Sequence, residues 1–445
     1  MGSDLLSIAS SGARAARAAL DVTAQNIANA STEGYVRRSV RLAEVAPPSA
    51  PGQIGDASLS GVRLDRVLRN ADLFRVGEVR RTTSDVSRAN SELSGLENIE
   101  ASLENARIYP AIVDFEGTLE ELAVDPANLS LRASVLEGAR TLARSFNVAA
   151  NALEAVGESA RFEATAAVDE VNLFAQELAR INLRLARAQN GSTDQSSLLD
   201  KRDLMLQRLS ERADVTVTVN QNMTVEVSLG AGGTLPLVTG GNTNQLTMAT
   251  AADGTLSFAV GGAPVTLSGG SLAGHAQGLI HLRDFGADLD AAAVRLVTLV
   301  NGAQGTGATL GGTPGQPLLS GTGAADLAVV ATDPAAIATA PAGAPAGSRD
   351  PANLVALRAA LATNGPADDM NTLLFGVSSQ VSGLTTTRDA LETIASSASI
   401  ALATQAGVDL DNEAVNLIRF QQAFQASGRA MQVASELFET ILGVG

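Results

Sequence analysis

Gly407-Val408-Asp409-Leu410-Asp411-Asn412-Glu413-Ala414-Val415-Asn416-Leu417-Ile418-Arg419-Phe420-Gln421-Gln422-Ala423-Phe424-Gln425-Ala426 opens a stretch in which large apolar residues return at every seventh position: Leu410, Leu417, Phe424, Met431 and Phe438. Ala414 and Leu442 occupy intermediate slots that Gln421, Gly428 and Ser435 otherwise fill. A period of 3.5 residues marks a helix covered along one side by another helix. The N-terminus repeats the pattern in Leu6, Ala13, Leu20 and Ile27, with Ala9 and Ala16 between them. Both ends are therefore expected to lie against helices, each other and further copies of the chain. The default reading of such a stripe is the core face of an ordinary domain. Two features shift it toward an intermolecular seam: both stripes sit at the extreme ends, and the C-terminal one persists for roughly 50 Å of helix.

The bulk properties agree with an assembly subunit. The chain has 445 residues, enough for several cores. Hydrophobic residues make up 45% and aromatic residues only 3%, an alanine-rich balance that suits close helix packing. Formal net charge is −16, which disfavours nucleic acid as a partner. Lys201 is the one lysine. Arginines alternate with acids (Arg63, Asp65, Arg66; Arg202, Asp203), a pattern that reads as a solvated face. With no cysteine, neither disulfides nor thiolate metal sites are possible. Leu5, Leu6 and Ile8 are soon interrupted by Ser10, Ser11, Gly12 and Arg14, so no cleavable signal is expected, and no stretch is long enough to insert in a membrane. Gly2 opens no myristoylation motif, because Leu6 stands where Ser or Thr is needed. Composition alone points to the cytosol.

Along the chain, residues 3–30 read as one helix stopped at Gly34. An extended stretch follows, with a loop at Pro47-Pro48 and Pro51-Gly52 and a short strand at Val62, Leu64 and Val67. Helical periodicity runs from about 70 to 106, where Pro110 breaks it, and resumes to about 213. Residues 215–268 turn to Thr, Val and Gly with frequent turns, the pattern of an all-β module. Helix returns near 271–302. Residues 303–350 are rich in Gly, Ala, Pro and Thr, with a strand at Leu327–Val330, and two long helices at 367–405 and 409–442 close the chain. The expected fold is mainly α with an inserted all-β module. Long terminal helices form a coiled-coil-like layer, a helical middle domain is assembled from both halves of the chain, and an outer β domain is inserted into it.

Catalytic chemistry is sparse. His275 and His281 are six apart and lack the spacing of a zinc helix, so two ordinary helix residues are expected. Gly305, Gly307, Gly311 and Gly312 have no following Lys-Ser/Thr pair and read as a loop. Glu120-Glu121 and Asp368-Asp369 are adjacent carboxylates that do not face each other, the second pair suiting a helix start. No GxSxG or SxxK nucleophile motif occurs. No enzyme, cofactor or metal is expected.

Five segments resemble the flagellar rod, hook and junction proteins, and specifically the FlgK family of first hook–filament junction proteins. Asn26-Ile27-Ala28-Asn29-Ala30-Ser31-Thr32-Glu33-Gly34-Tyr35 is similar to their ANxxTxGY signature, with Ser31 and Glu33 where Asn and Pro are usual. The run 407–426 is close to the family's GVNLDEEAANLIRYQQAYQA, and Leu437-Phe438-Glu439-Thr440-Ile441-Leu442 resembles LFDTLL. Leu198-Leu199-Asp200-Lys201-Arg202-Asp203 is similar to LLDQRD, and Leu282-Arg283-Asp284 resembles a later helical segment.

The resemblance implies a structural flagellar subunit that joins hook to filament by helical self-assembly. Residues 1–35 and 405–445 would form the inner tube, 36–213 and 271–404 a helical domain, and 214–270 an inserted outward β domain, leaving 303–350 unassigned. Assembly contacts fall to Leu6, Ala13, Ala16, Leu20, Ile27, Asn29, Gly34, Tyr35, Leu410, Leu417, Phe424, Met431, Phe438 and Leu442. Implied partners are copies of the chain, the hook protein, the second hook–filament junction protein, a cytosolic export chaperone on the C-terminal helix, and the flagellar type III export apparatus. The implied destination is extracellular, which displaces the cytosolic reading. The alternatives are another flagellar axial protein, such as the second junction protein or a hook protein, a secreted surface adhesin using the β module, or a filament-borne protease.

Overall fold

A computed structural model describes residues 2–45, 61–230, 232–363 and 365–443. The loop expected at Pro47-Pro48 and Pro51-Gly52 lies outside them. Helix α1 (Gly2–Ala28) precedes β1 (Arg38–Glu44) and β2 (Val62–Arg69), an antiparallel pair running from Arg38↔Arg69 to Glu44↔Val62. Helices α2 (Leu73–Asn105), α3 (Ile108–Val124), α4 (Leu129–Leu185) and α5 (Thr193–Arg212) follow. Next come β3 (Val215–Val219), β4 (Val225–Leu229), β5 (Leu235–Thr239), β6 (Asn242–Thr243), β7 (Leu246–Thr250), β8 (Leu256–Val260) and β9 (Ala263–Val265). After α6 (Gly270–Thr306) there are two-residue strands β10 (Gly307–Ala308), β11 (Leu319–Ser320), β12 (Ala328–Val329) and β13 (Ala340–Pro341). Helices α7 (Ala352–Ala362), α8 (Pro366–Ala406) and α9 (Leu410–Gly443) end the chain. The fold is mainly α, with small antiparallel sheets inserted between helices from both halves of the sequence.

Two compact units result: Met1–Ser84 with Glu170–Leu246 and Leu391–Gly445, and Asp85–Asp169 with Thr247–Ala390. The second has the larger apolar core. In α3, Ile108, Ile112, Phe115, Leu119 and Leu122 return at three- and four-residue steps, and all are fully buried. They pack in one cluster with Leu136 and Phe146 of α4, Leu289 and Leu296 of α6, and Leu357 of α7. Pro110 sits in the first turn of α3, where its missing N–H costs nothing; the break itself falls at Arg107, which adopts left-handed φ 54°.

Irregular backbone between α6 and α7 is buried at Leu318, Ala324, Leu327 and Ile337, so its peptide groups need partners. Helix side chains supply them. Asn147 Nδ2 donates to the Ala324 carbonyl at 2.7 Å, Asn301 Nδ2 to that of Leu319 at 2.8 Å, and Asn353 Nδ2 to that of Ala338 at 2.8 Å. Arg132 of α4 is fully buried; its Nε donates to the Pro126 carbonyl and its Nη1 to the Ile337 carbonyl, both at 2.6 Å, while Nη2 donates to Thr339 Oγ1 at 2.8 Å. Burial pushes its pKa down and Asp333 pulls it back up.

Residues 214–270, expected as one β domain, hold two sheets with separate ladders, ordered β3-β4-β5-β6 and β7-β8-β9. Their Thr/Val/Gly composition announces strands but says nothing of pairing, and β6, only two residues long, ends the first ladder. Within the first unit, Asn182 Nδ2 donates to the Val225 and Gly240 carbonyls, both at 2.8 Å, and its Oδ1 accepts from the Val225 N–H at 2.9 Å. Helix α7 answers to no expectation, because its eleven residues follow directly on the Gly/Ala/Pro-rich segment.

Arg132→Ala should lower unfolding free energy by about 3 kcal/mol, since it strands several buried carbonyls at once. Urea denaturation measures the loss, and amide exchange should locate its onset at residues 333–341.

Candidate assembly site at the paired chain ends

Helices α1 and α9 pack antiparallel. A Cβ on Gly12 would lie 3.0 Å from Ser427 Oγ, and Asn26 bonds Glu413, so fourteen steps forward on α1 (12 to 26) match fourteen back on α9 (427 to 413). The α1 face is small: Ala9, Ala16, Ala19, Thr23 and Asn26 are buried. On α9 the covered heptad is Glu413, Phe420, Ser427 and Ala434, with Glu413 and Ala434 fully buried. Small facing residues let the two backbones approach closely.

Each end of the pair is defined locally. At the end of α8 the Gly407 N–H donates to the Ala403 carbonyl at 2.8 Å, and a Cβ on Gly407 would lie 2.4 Å from that same oxygen, so a residue with a side chain does not fit there. Asp409 then caps α9, its Oδ1 accepting from the N–H groups of Asp411 at 3.0 Å and Asn412 at 3.1 Å. After α1, Gly34 takes φ +75°, where a side chain would be strained and its Cβ would crowd Leu204 at 3.2 Å.

Between these ends lies a buried polar network. Asn26 Nδ2 donates to the Arg38 carbonyl at 2.8 Å and to Glu413 Oε2 at 3.1 Å, while its Oδ1 accepts from the Arg38 N–H at 3.0 Å and the Tyr35 hydroxyl at 2.8 Å. Arg37 Nε donates to Glu413 Oε1 at 2.6 Å. Arg38 stacks over the Tyr35 ring and donates from Nη2 to Asp200 Oδ2 at 2.9 Å. Arg69 bridges Asp200 at 2.7 Å and Asp203 at 2.8 Å, and Arg202 pairs with Asp203 at 2.7 Å while donating from Nη1 to the Met223 carbonyl. Asp200 and Asp203 are three apart on α5 and so share a face. Three segments that carried the resemblance, 26–35, 198–203 and 407–426, thus meet in one set of bonds. Arg202-Asp203 is correspondingly not the solvated face its alternation suggested, because Arg69 supplies the charge that lets Asp203 be buried.

The residues singled out from sequence divide among several environments. Ala13 and Ala16 are buried on α1; Leu20 and Ile27 are half-buried, and Leu6 is exposed. Asn29 is half-buried and donates to the Gln25 carbonyl at 2.9 Å; Gly34 makes the turn and Tyr35 joins the network. Leu417 and Met431 are half-buried, whereas Leu410, Phe424 and Phe438 remain exposed. The side chain of Leu442 lies outside the described residues. Arg37, Arg38, Arg69 and Glu413 were not singled out; Asn26 and Glu413 stand inside quoted motifs, which was the available signal. Both histidines lie on α6, and among the described residues no cluster of ligand-type side chains could hold a metal ion and no helix is long and apolar enough to cross a membrane.

Burial raises the Tyr35 pKa above its ordinary 10.0; Arg38 opposes this, while Asp200 and Glu413 add to it. The protonated phenol is the form that donates to Asn26. Its contribution to stability is complete below pH 10.0 and is lost as pH climbs through the raised value. The chain has two tyrosines, so Tyr109→Phe isolates Tyr35; its phenolate absorbance should titrate above pH 10.0, with unfolding following it.

Comparison with known proteins follows the same lines. Residues 93–336 match the family described as flagellar hook-associated protein FlgK helical domain. Residues 403–444 match flagellar basal body rod FlgEFG protein C-terminal, and 6–35 match flagella basal body rod protein. The chain is 27% identical over 220 residues to flagellar hook-associated protein 1 of Bacillus subtilis, covering 47% of this chain and 42% of that one. It is 25% identical over 250 residues to the Escherichia coli protein of the same name, covering 55% and 44%. The matched stretches span under half the length of these relatives. The solved flagellar hook junction protein FlgK of Burkholderia pseudomallei aligns with a TM-score of 0.49 at 25% identity, covering 54% of this chain and 46% of that one. Since 93–336 is more than half of 445 residues, and its flanks match rod-protein termini, the chain belongs to the FlgK family of flagellar hook-associated proteins.

Proposed function

We propose that this chain is a structural subunit of the bacterial flagellum, joining hook to filament by helical self-assembly through α1 and α9, with no enzymatic role. One observation carries the reading. The pairing of α1 with α9 covers the heptad Glu413, Phe420, Ser427 and Ala434 and leaves Leu417 and Met431 half-buried, while six large apolar residues of α9 stay exposed: Leu410, Ile418, Phe424, Val433, Leu437 and Phe438. A long helix with one face sheathed and an apolar face bare is built to be covered by something else. Copies of the same chain satisfy this most economically, because repeating one contact generates a helical tube. In this reading residues 1–35 and 405–445 form the inner tube, and the hook protein and second junction protein continue it at either side. The flagellar type III apparatus exports the chain to the cell exterior. A cytosolic chaperone covers the bare α9 face beforehand.

Two substitutions separate the folded subunit from its assembly. Phe424→Glu alters an exposed side chain, so the melting temperature should move by no more than a few degrees while incorporation into flagella and swarming motility are lost. Normal labelling of the variant on flagella would remove α9 from the contact. Ala16→Phe acts differently: four residues beyond Gly12 on the same face, it overpacks the α1–α9 seam, costing about 2 kcal/mol. Circular dichroism during denaturation should show that loss in the isolated chain.

A further inference from the structure

Beside the polar network lies a cavity of about 240 Å³, walled by Tyr35, Val79, Arg80, Asp203, Gln207 and Leu402 among others. The charges of the cavity and the adjoining network do not balance. Arg38, Arg69 and Arg202 occupy the two carboxylates, Asp200 and Asp203, at 2.7–2.9 Å. Arg80 is the fourth guanidinium; it is half-buried and makes no hydrogen bond or ion pair among the described residues. Burial and Arg202 both push its pKa down, and only the field of Asp203 pulls it up. Two positive charges are thus in excess within a chain whose formal charge is −16. Arg80 lines the cavity half-buried with Asp203 as the opposite charge acting on it, so a carboxylate entering the cavity would be attracted there.

We propose that this cavity receives the turn Glu436-Leu437-Phe438-Glu439 of α9 from a second copy of the chain, a glutamate neutralising Arg80 while an apolar side chain fills the space. The proposal rests on the self-assembly reading above and adds the contact that sets its register. Leu437 and Phe438 are about half exposed, and Glu436 and Glu439 are exposed with no ion pair among the described residues. The other acid-flanked apolar knob on α9, Leu410, is less suited, because the Asp409 carboxylate is already occupied in capping the helix. The turn cannot enter the cavity of its own chain. Gly407 lines that cavity, and Glu436 lies at the far end of one continuous helix, about 40 Å away.

The absence of cysteine makes a clean test. Full-length Gln207→Cys and Phe438→Cys chains are mixed, allowed to associate, and oxidised. A disulfide-linked dimer that needs both variants is the expected result. Association of the mixture without that dimer overturns the contact but leaves the self-assembly reading standing; a parent chain that never associates with itself removes both. Capture of the Gln207→Cys chain by a different flagellar protein, in place of a copy, also overturns the proposal. Arg80→Glu should weaken association at least tenfold, and Glu436→Arg with Glu439→Arg in the partner copies should restore it. The cysteine pair leaves Arg80 intact and stands if the charge variant misfolds.

Discussion

The Glu413 carboxylate is fully buried, and that is tolerable only because Arg37 and Asn26 meet it at 2.6 and 3.1 Å. Neither partner is near it in sequence. Helix α9 can therefore seat on α1 only once the turn from Asn26 to Arg38 has formed, since a buried carboxylate without partners costs several kcal/mol. The dependence also runs the other way. Without Glu413, the Asn26 carboxamide loses an acceptor and Arg37 its counter-charge. The two ends of the chain are thereby made conditional on each other, and a slip of α9 by even one residue would leave both charges stranded. Buried ionic groups contribute modestly to stability in general, but fixing register is their best attested use.

From that point the constraint spreads through a chain of alternating charge. Arg38, Asp200, Arg69, Asp203 and Arg202 follow one another, ending on the Met223 carbonyl at the turn before β4. Strand pairing matters to this series. Arg38 and Arg69 are opposite residues in the β1–β2 ladder, so antiparallel register places both guanidinium groups beside one helix, α5. The Ser192 cap sets where that helix begins, with Gln195 N–H donating to Ser192 Oγ at 3.1 Å and Gln195 Oε1 accepting from the Gly191 N–H at 2.7 Å. A local capping choice thus decides which face of α5 presents Asp200 and Asp203.

Much of the skeleton was legible in sequence, and the reason is period. The expected helices at 3–30, 367–405 and 409–442 correspond to α1, α8 and α9 within a few residues, because Gly34, Gly407 and Asp409 are terminators with a clear steric or capping rationale. The network was not legible. Arg202-Asp203 looks like any alternating surface pair until Arg69, more than a hundred residues away, is brought to it. The Gly/Ala/Pro-rich segment was opaque for a related reason: its order comes from Asn147, Asn301, Asn353 and Arg132, side chains on helices whose own patterns gave no hint of that use. The two sheets within 214–270 likewise share one composition, and ladder membership is a long-range property that composition does not encode.

The heptad stripe was visible and carried more than one meaning. Period 3.5 identifies a helix that will be covered, but α9 carries two such series, offset by three residues: one through Leu410, Leu417 and Phe424, and a more mixed one through Glu413, Phe420, Ser427 and Ala434. Hydrophobicity favours the first as the intramolecular seam. The structure uses the second, where Ala9, Gly12, Ala16 and Ala19 of α1 let the backbone approach Ser427 and Ala434 closely and Phe420 of the same series is half-buried. Alanine richness at the N-terminus and apolar bulk at the C-terminus are therefore one design. Within the chain that contact leaves Leu410, Phe424 and Phe438 exposed.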